Sequence, residues 1–245
     1  MEKIRKNIRG ELYYFDSVGS TNTEALKCDS AADFSLFLTE NQTEGRGRQG
    51  RSWKASEGGI YMTVLIKPDR ISENIPALTL MAGLCVARVI PESWIKWPND
   101  IVLGDKKVAG ILTESKIVGK SGNIAVGIGI NANNTYFCGD LAEKATSIYL
   151  FSGKKQSETE LVTGVYNGLL RLYKNFDKGF SSFSDEYRER CITLNREIVV
   201  MKDGKECVMT AKDIGNNGEL IAESGGKTER IAFGEVSVRG LLGYV

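Results

Sequence analysis

Gly45-Arg46-Gly47-Arg48-Gln49-Gly50-Arg51-Ser52-Trp53 is the sharpest local feature of the chain. Its glycines allow backbone to approach a ligand closely, and its arginines offer planar, multidentate donors to carboxylate or phosphate. One reading is a solvated, RGG-like nucleic-acid loop. The flanks favour another. Phe34 to Thr39 and Ile60 to Lys67 both read as strands and no further basic repeats follow, so the segment is expected to be an anion-binding loop inside a folded site.

Working outward, Leu12 to Phe15 reads as a strand, and Ser20 or Thr21 can cap a short helix toward Lys27, with Glu24 as a capping-box partner. Pro76 suits the first turn of a packed helix over Ala77 to Ile90. Trp94 to Trp97 reads as a strand entering a Pro98-Asn99-Asp100 turn. Val108 to Glu114 and Ile124 to Asn131 are expected to pair around the Gly119–Gly122 loop. A longer helix should begin near Ser157, with Leu161, Val165, Leu169, Leu172 and Phe176 as its apolar stripe, and a shorter one should cover Phe183 to Cys191. After Leu194 the period shortens. Five short strands follow, ending with Arg230 to Phe233 and Glu235 to Arg239, punctuated by Asp203-Gly204, Asn217-Gly218 and Gly225-Gly226. The pattern predicts an α+β body over 1–194 and a small β-barrel over 195–245.

The 245 residues are 42% hydrophobic and 26% charged, enough to bury a sizeable core. Thirty-two basic side chains against thirty-one acidic ones give a formal net charge of +1, with no global attraction for nucleic acid or an anionic membrane. Histidine is absent, which excludes Ser-His-Asp and Cys-His catalysis and His-ligated metals. The five cysteines are scattered, arguing against a disulfide framework or a zinc site. No apolar run is long enough to span a membrane and no secretory signal opens the chain, so a reducing cytoplasm is the expected location.

Two more segments bear chemistry. Lys96-Trp97-Pro98-Asn99-Asp100 precedes Lys107-Val108-Ala109-Gly110-Ile111-Leu112, where Lys107 can offer an ammonium to an anion and Asp100 can accept from an amine or a metal. Equally, Trp97 can be core and the charges solvent-facing. Gly127-Ile128-Gly129-Ile130-Asn131 puts small residues in a strand, where backbone or ligand can come close. Gly119-Lys120-Ser121 looks like the end of a P-loop, but Glu114 stands where the first glycine is required. There is no dinucleotide fingerprint in a strand–turn–helix setting, so an ATP site would be neither Walker nor Rossmann in type.

Taken together, Ser20-Thr21-Asn22, Gln42, the Gly45–Trp53 loop, Lys96–Asp100, Lys107–Leu112 and Gly127–Asn131 resemble the biotin protein ligase family in order and spacing. The resemblance runs from about Tyr14 to the C-terminus, including the Gly234–Arg239 segment. It implies a mixed central sheet flanked by helices, like class II aminoacyl-tRNA synthetases, followed by an SH3-like C-terminal barrel. It implies a biotin–[acetyl-CoA-carboxylase] ligase that uses ATP and Mg2+ to make biotinyl-5′-AMP from biotin. Biotin then passes to a lysine of a biotin carboxyl carrier protein or biotinyl domain.

On this resemblance Ser20, Thr21 and Gln42 recognise the ureido end of biotin, and Gly110, Ile111 and Gly129 shape the pocket wall. Arg48 and Lys107 hold the biotin carboxylate and the ATP α-phosphate. Arg46 and Arg51 support pyrophosphate binding or loop ordering, Trp53 covers the adenine, and Lys96 and Asn131 lie near ATP. Asp100 orients the incoming lysine. Asn22, Gly45, Asn99 and Gly127 complete the binding set, and no side chain is assigned to the metal. Ala55-Ser56 stands where the family often has Ser-Pro, and Glu44 where a small residue is common. With the first motif at Ser20 there is no room for a winged helix-turn-helix domain, so specific DNA binding is not expected. Homodimers occur in the family. The rivals are a lipoate or octanoate ligase or transferase, and a non-catalytic nucleic-acid module using the arginine loop.

Overall fold

The computed structural model describes residues 1–68, 74–119, 121–202, 205–232 and 237–240. The elements are α1 (Glu2–Arg5), β1 (Leu12–Phe15), α2 (Thr21–Lys27), β2 (Ser35–Thr39), β3 (Gly59–Ile66), α3 (Ile75–Val89), β4 (Trp94–Lys96), β5 (Asp100–Leu103), β6 (Lys106–Val118) and β7 (Ser121–Asn131). Then come α4 (Leu141–Lys144), α5 (Ile148–Ser152), α6 (Glu158–Tyr173) and α7 (Ser184–Glu189). Strands β8 (Glu197–Lys202), β9 (Lys205–Ile214), β10 (Leu220–Ser224), β11 (Lys227–Ile231) and β12 (Ser237–Gly240) close the chain.

Seven strands form a sheet in the order β1-β2-β3-β7-β6-β5-β4. β1 and β2 run parallel and the remaining pairs antiparallel, so the sheet is mixed, as expected. The parallel pair is bridged by α2, because a chain that returns to its starting edge in the same direction needs a crossover.

Alternation along the strands divides the core. Leu36, Leu38, Val64 and Ile66 face α3 and α6, whereas Phe37, Leu65 and Ala125 face α2. Both faces of β3 are covered, which explains its unbroken apolar run. The long helix begins at the predicted cap, where Ser157 Oγ accepts from Glu160 N at 3.3 Å. Ser20 likewise stands at the N-cap of α2, but no side-chain capping bond forms there; the Thr21 N–H is taken by Gln42 Oε1 at 2.8 Å.

The C-terminal strands differ from expectation. They form an antiparallel sheet in the order β11-β10-β9-β8-β12, and among the described residues no ladder joins β11 to β12. The sheet is open, so the SH3-like barrel is corrected. The packing gives the reason: Ile198, Val200, Met209, Ala211, Leu220 and Ala222 belong to the same apolar cluster as the main body. The sheet buries its apolar face by lying on that body, without needing to close on itself. Trp97 contributes to this seam, its indole N–H donating to the Gly218 carbonyl at 2.9 Å. The predicted turns at Asn217-Gly218 and Gly225-Gly226 are present, with φ of +84° at Gly218 and +56° and +74° at the glycine pair. The predicted Asp203-Gly204 turn, and Phe233 to Val236 of the terminal strands, lie outside the described residues.

Candidate functional site

One cross-strand row forms the floor of the site. Tyr61 on β3 pairs with Gly129 on β7, Gly129 with Gly110 on β6, Gly110 with Asp100 on β5, and Asp100 with Lys96 on β4. The row lies on the α2 side of the sheet. The two central glycines leave a trough, and the ring of Trp53 fills its bottom: a Cβ on Gly129 would lie 2.8 Å from Trp53 Cε2, and one on Gly110 would lie 2.6 Å from Cζ3. The next row carries Thr63 and Gly127, cross-strand partners. Here a Cβ on Gly127 would sit 2.2 Å from Asn22 Oδ1, so the glycine is what lets Asn22 reach the sheet.

Thus the motifs that are separated in sequence meet around one cavity of about 1000 Å³, counted with its open mouth. All the sequence-predicted site residues line it except Gly45 and Asn131. Gly45 lies just behind the wall, where its carbonyl accepts from Trp53 N at 2.9 Å and a Cβ would come within 2.4 Å of the Trp53 carbonyl oxygen. Asn131 is buried and its side chain donates to the Thr146 carbonyl at 3.1 Å. Trp53 rests on the glycine floor, the position expected to admit a ligand's ring system.

At one end of the cavity a neutral polar network is nearly saturated. Thr21 N and Oγ1 both donate to Gln42 Oε1, at 2.8 and 3.1 Å. Thr63 Oγ1 lies 2.6 Å from Asn22 Oδ1 and 2.8 Å from Thr21 Oγ1. At the other end, charge dominates. Arg48, Arg51, Lys96 and Lys107 line it, while Arg46 reaches the polar end instead, and Asp100 is the one carboxylate among the lining residues. Asp100 forms an ion pair with Lys107 Nζ at 2.5 Å, and that ammonium stands 5.0 Å from the centre of the Trp53 ring.

Arg48 donates from one nitrogen to Asn99 Oδ1 at 3.0 Å, while its Nη2 is buried with no hydrogen-bond partner among the described residues. Burial holds the Arg48 pKa below its ordinary value; nearby Asp100 offsets part of that shift and Arg51 adds to it. Lys96, 7% exposed, is pushed down to about 8, chiefly by burial, with Asp100 opposing and Lys107 and Arg51 reinforcing the shift. Fixed cations already desolvated, one with an unused donor, form a receptor for an anion.

Sequence reasoning passed over Tyr61, Thr63 and Glu114. Tyr61 and Thr63 are the polar interruptions on one face of an otherwise apolar strand, the signal that could have found them. Glu114 carries charge into the middle of β6, where it pairs with Arg46 at 3.0 Å. The expected Pro98-Asn99-Asp100 turn ends one residue earlier than read, since Asp100 is the first residue of β5.

The fold and cavity together define a class: a mixed-sheet α+β protein whose glycine-floored trough runs from a hydrogen-bonding pocket to an anion receptor. Residues 14–131 match the Biotin/lipoate A/B protein ligase family. The chain is 33% identical over 185 residues to the bifunctional ligase/repressor BirA of Bacillus spizizenii, covering 71% of this chain and 57% of that one. It therefore spans little more than half the length of that relative. To the biotin–[acetyl-CoA-carboxylase] ligase of Mycobacterium tuberculosis it is 28% identical over 232 residues, covering 89% and 85% of the two chains. Its structure resembles that of the Aquifex aeolicus biotin protein ligase in complex with biotin and ATP, with a TM-score of 0.83 and 28% identity over 94% of this chain and 99% of the other. The chain belongs to the biotin protein ligase family.

Among the described residues no helix is long and apolar enough to cross a membrane.

Proposed function

We propose that the chain is an ATP-dependent biotin–[biotin carboxyl carrier protein] ligase. The observation that carries this reading is the polarity of the cavity. A hydrogen-bonding pocket at Thr21, Asn22 and Gln42 leads over Gly129 and Gly110 to a cluster of four basic side chains, Arg48, Arg51, Lys96 and Lys107, with one carboxylate. Biotin has the matching polarity: a ureido ring at one end, an apolar valeryl chain and a carboxylate at the other. The Aquifex relative, crystallised with biotin and ATP, supports the same choice of ligands.

In the first step a biotin carboxylate oxygen bonds to the α-phosphorus of ATP, the bond to the β-phosphate oxygen breaks, and pyrophosphate leaves. Two anions must come together, and without fixed cations their repulsion would raise the barrier. Arg48, through its unpartnered Nη2, and Lys107 are the groups assigned to that encounter. In the second step the ε-amine of an acceptor lysine attacks the acyl carbon, AMP departs, and the amine loses a proton. Asp100 is assigned to orient that amine. Mg2+ would ride on the nucleotide's phosphate oxygens and supply charge neutralisation. The Gly45–Trp53 loop forms the wall that excludes water from the mixed anhydride. The acceptor is a biotinyl domain, and residues 1–194 are taken as the catalytic unit.

The test is mass spectrometry after incubation with MgATP and a mixture of biotin, lipoate and octanoate. Biotinyl-AMP that requires both ATP and the protein is the expected product. Lipoyl- or octanoyl-AMP alone would move the protein to the lipoate branch, and salt-sensitive nucleic-acid binding without any adenylate would refute the ligase reading.

A further inference from the structure

Glu114 does not line the cavity, yet three parts of the site converge on it. Arg46 Nη2, from the arginine loop, lies 3.0 and 3.2 Å from its two carboxylate oxygens, while Arg46 Nη1 donates to Thr23 Oγ1 on α2 at 2.8 Å. Asn22 Nδ2 donates to Glu114 Oε2 at 2.8 Å and to the Leu112 carbonyl at 3.1 Å. With both amide hydrogens taken, Asn22 must turn its Oδ1 toward Thr63 and Gly127. A single carboxylate thus ties the entering arm of the loop to helix α2 and fixes the side chain that closes the polar end of the cavity.

We propose that Glu114 is a positioning residue, a latch that holds the Arg46 arm of the loop shut over the reaction intermediate. This rests on the ligase reading above. The Arg46 and Glu114 side chains are 41% and 30% exposed, so water screens the pair. A pair of that strength closes a loop without locking it, and it can open once per turnover. Glu114 is kept from the reacting groups by Arg46 and Asn22, so its charge acts on retention of the adenylate and leaves the chemistry of its formation alone.

The experiment compares the wild-type protein, Glu114→Gln, Arg46→Gln and the double variant. It measures single-turnover adenylation together with the fraction of biotinyl-AMP found free in solution. Glutamine keeps an acceptor for Asn22 and removes the charge. In Glu114→Gln the free fraction is expected to rise about two- to fivefold, as for loss of a partly exposed ion pair, with adenylation within about twofold of wild type. Arg46→Gln should raise the free fraction similarly, and the double variant should add nothing. Unchanged escape, multiplicative effects on escape, or, in Glu114→Gln, equal loss of adenylation and retention would each overturn the latch. Arg46 is exposed, so its variant tests the pair even if Glu114→Gln fails to fold. Trypsin cleavage at the loop arginines, measured without ligands, separates the two readings. A wild type that makes no biotinyl-AMP would end the ligase assignment, whereas equal cleavage of wild type and Glu114→Gln would end the latch alone.

Discussion

Replacing Gly129 with alanine should weaken biotin binding while leaving the fold intact. The new Cβ would lie 2.8, 2.9 and 3.1 Å from Trp53 Cε2, Cζ2 and Nε1. To regain ordinary contact near 3.4 Å the ring must retreat by about 0.6 Å. The alternative is to move β7, but Gly129 is paired on both sides, to Tyr61 and to Gly110, in the middle of a seven-stranded sheet. Trp53 sits half-buried on a loop and gives way more cheaply. Overpacking of this kind costs about 1–3 kcal/mol. Charged to closure of the loop, that is a loss of about 5- to 150-fold in affinity. Calorimetric titration with biotin measures it, alongside a thermal melt and acrylamide quenching of tryptophan fluorescence. Quenching should increase, because Trp53 leaves the floor while Trp97 stays buried. A variant that melts earlier yet binds biotin like the wild type would refute the reasoning, since the sheet would then have absorbed the strain.

Three further outcomes are expected. Lys96, with a pKa near 8 in the fold against 10.5 for the free side chain, binds a proton in the unfolded chain but not in the fold between those values, so the ligand-free protein should gain stability as pH rises through that window. Bound polyphosphate favours the charged form; ATP affinity should fall as pH rises above about 8, and Lys96→Met should flatten that profile in a titration series. Tyr187 is fully buried with no hydrogen-bond partner for its hydroxyl among the described residues, so Tyr187→Phe should gain about 1 kcal/mol and raise the melting temperature by about 2–4 °C. Asp100→Asn should slow transfer to the acceptor lysine about a hundredfold and adenylation by less than about threefold, measured as separate half-reactions; equal losses would remove Asp100 from the second step.

The elements with strong periodicity were legible from the chain alone. The stripe from Leu161 to Leu169 and the cap at Ser157 define α6, and the glycine-spaced run over Gly127 to Asn131 is an interior strand. The site motifs were legible as pieces because glycine, arginine and Trp-Pro-Asn-Asp clusters are rare inside strands and helices. Their common row, Tyr61–Gly129–Gly110–Asp100–Lys96, was not, because register between strands is set by long-range pairing that no local pattern carries. The barrel was misread for a related reason. Five short strands with tight turns fit a closed barrel or an open sheet equally well; the apolar surface around Trp97 that the sheet covers is a tertiary fact. Ser20, Thr21 and Glu24 have the spacing of a capping box, but Gln42 from a distant loop outcompetes it for the helix's first N–H.

The charge balance of the cavity links the two halves of the proposed reaction. Without ligand, Asp100 is held by Lys107 at 2.5 Å, so its carboxylate is already engaged with a cation. Lys107 is also one of the two cations assigned to the incoming anions. An anion that binds Lys107 competes with Asp100 for the same ammonium, and among the lining residues Asp100 is the one carboxylate that can be displaced in this way. On the proposed reading, formation of the adenylate would loosen the Lys107–Asp100 pair, and the carboxylate could then turn to the acceptor lysine. The order of the two steps would then be built into one ion pair: the group that orients the nucleophile is released by the event that creates the electrophile.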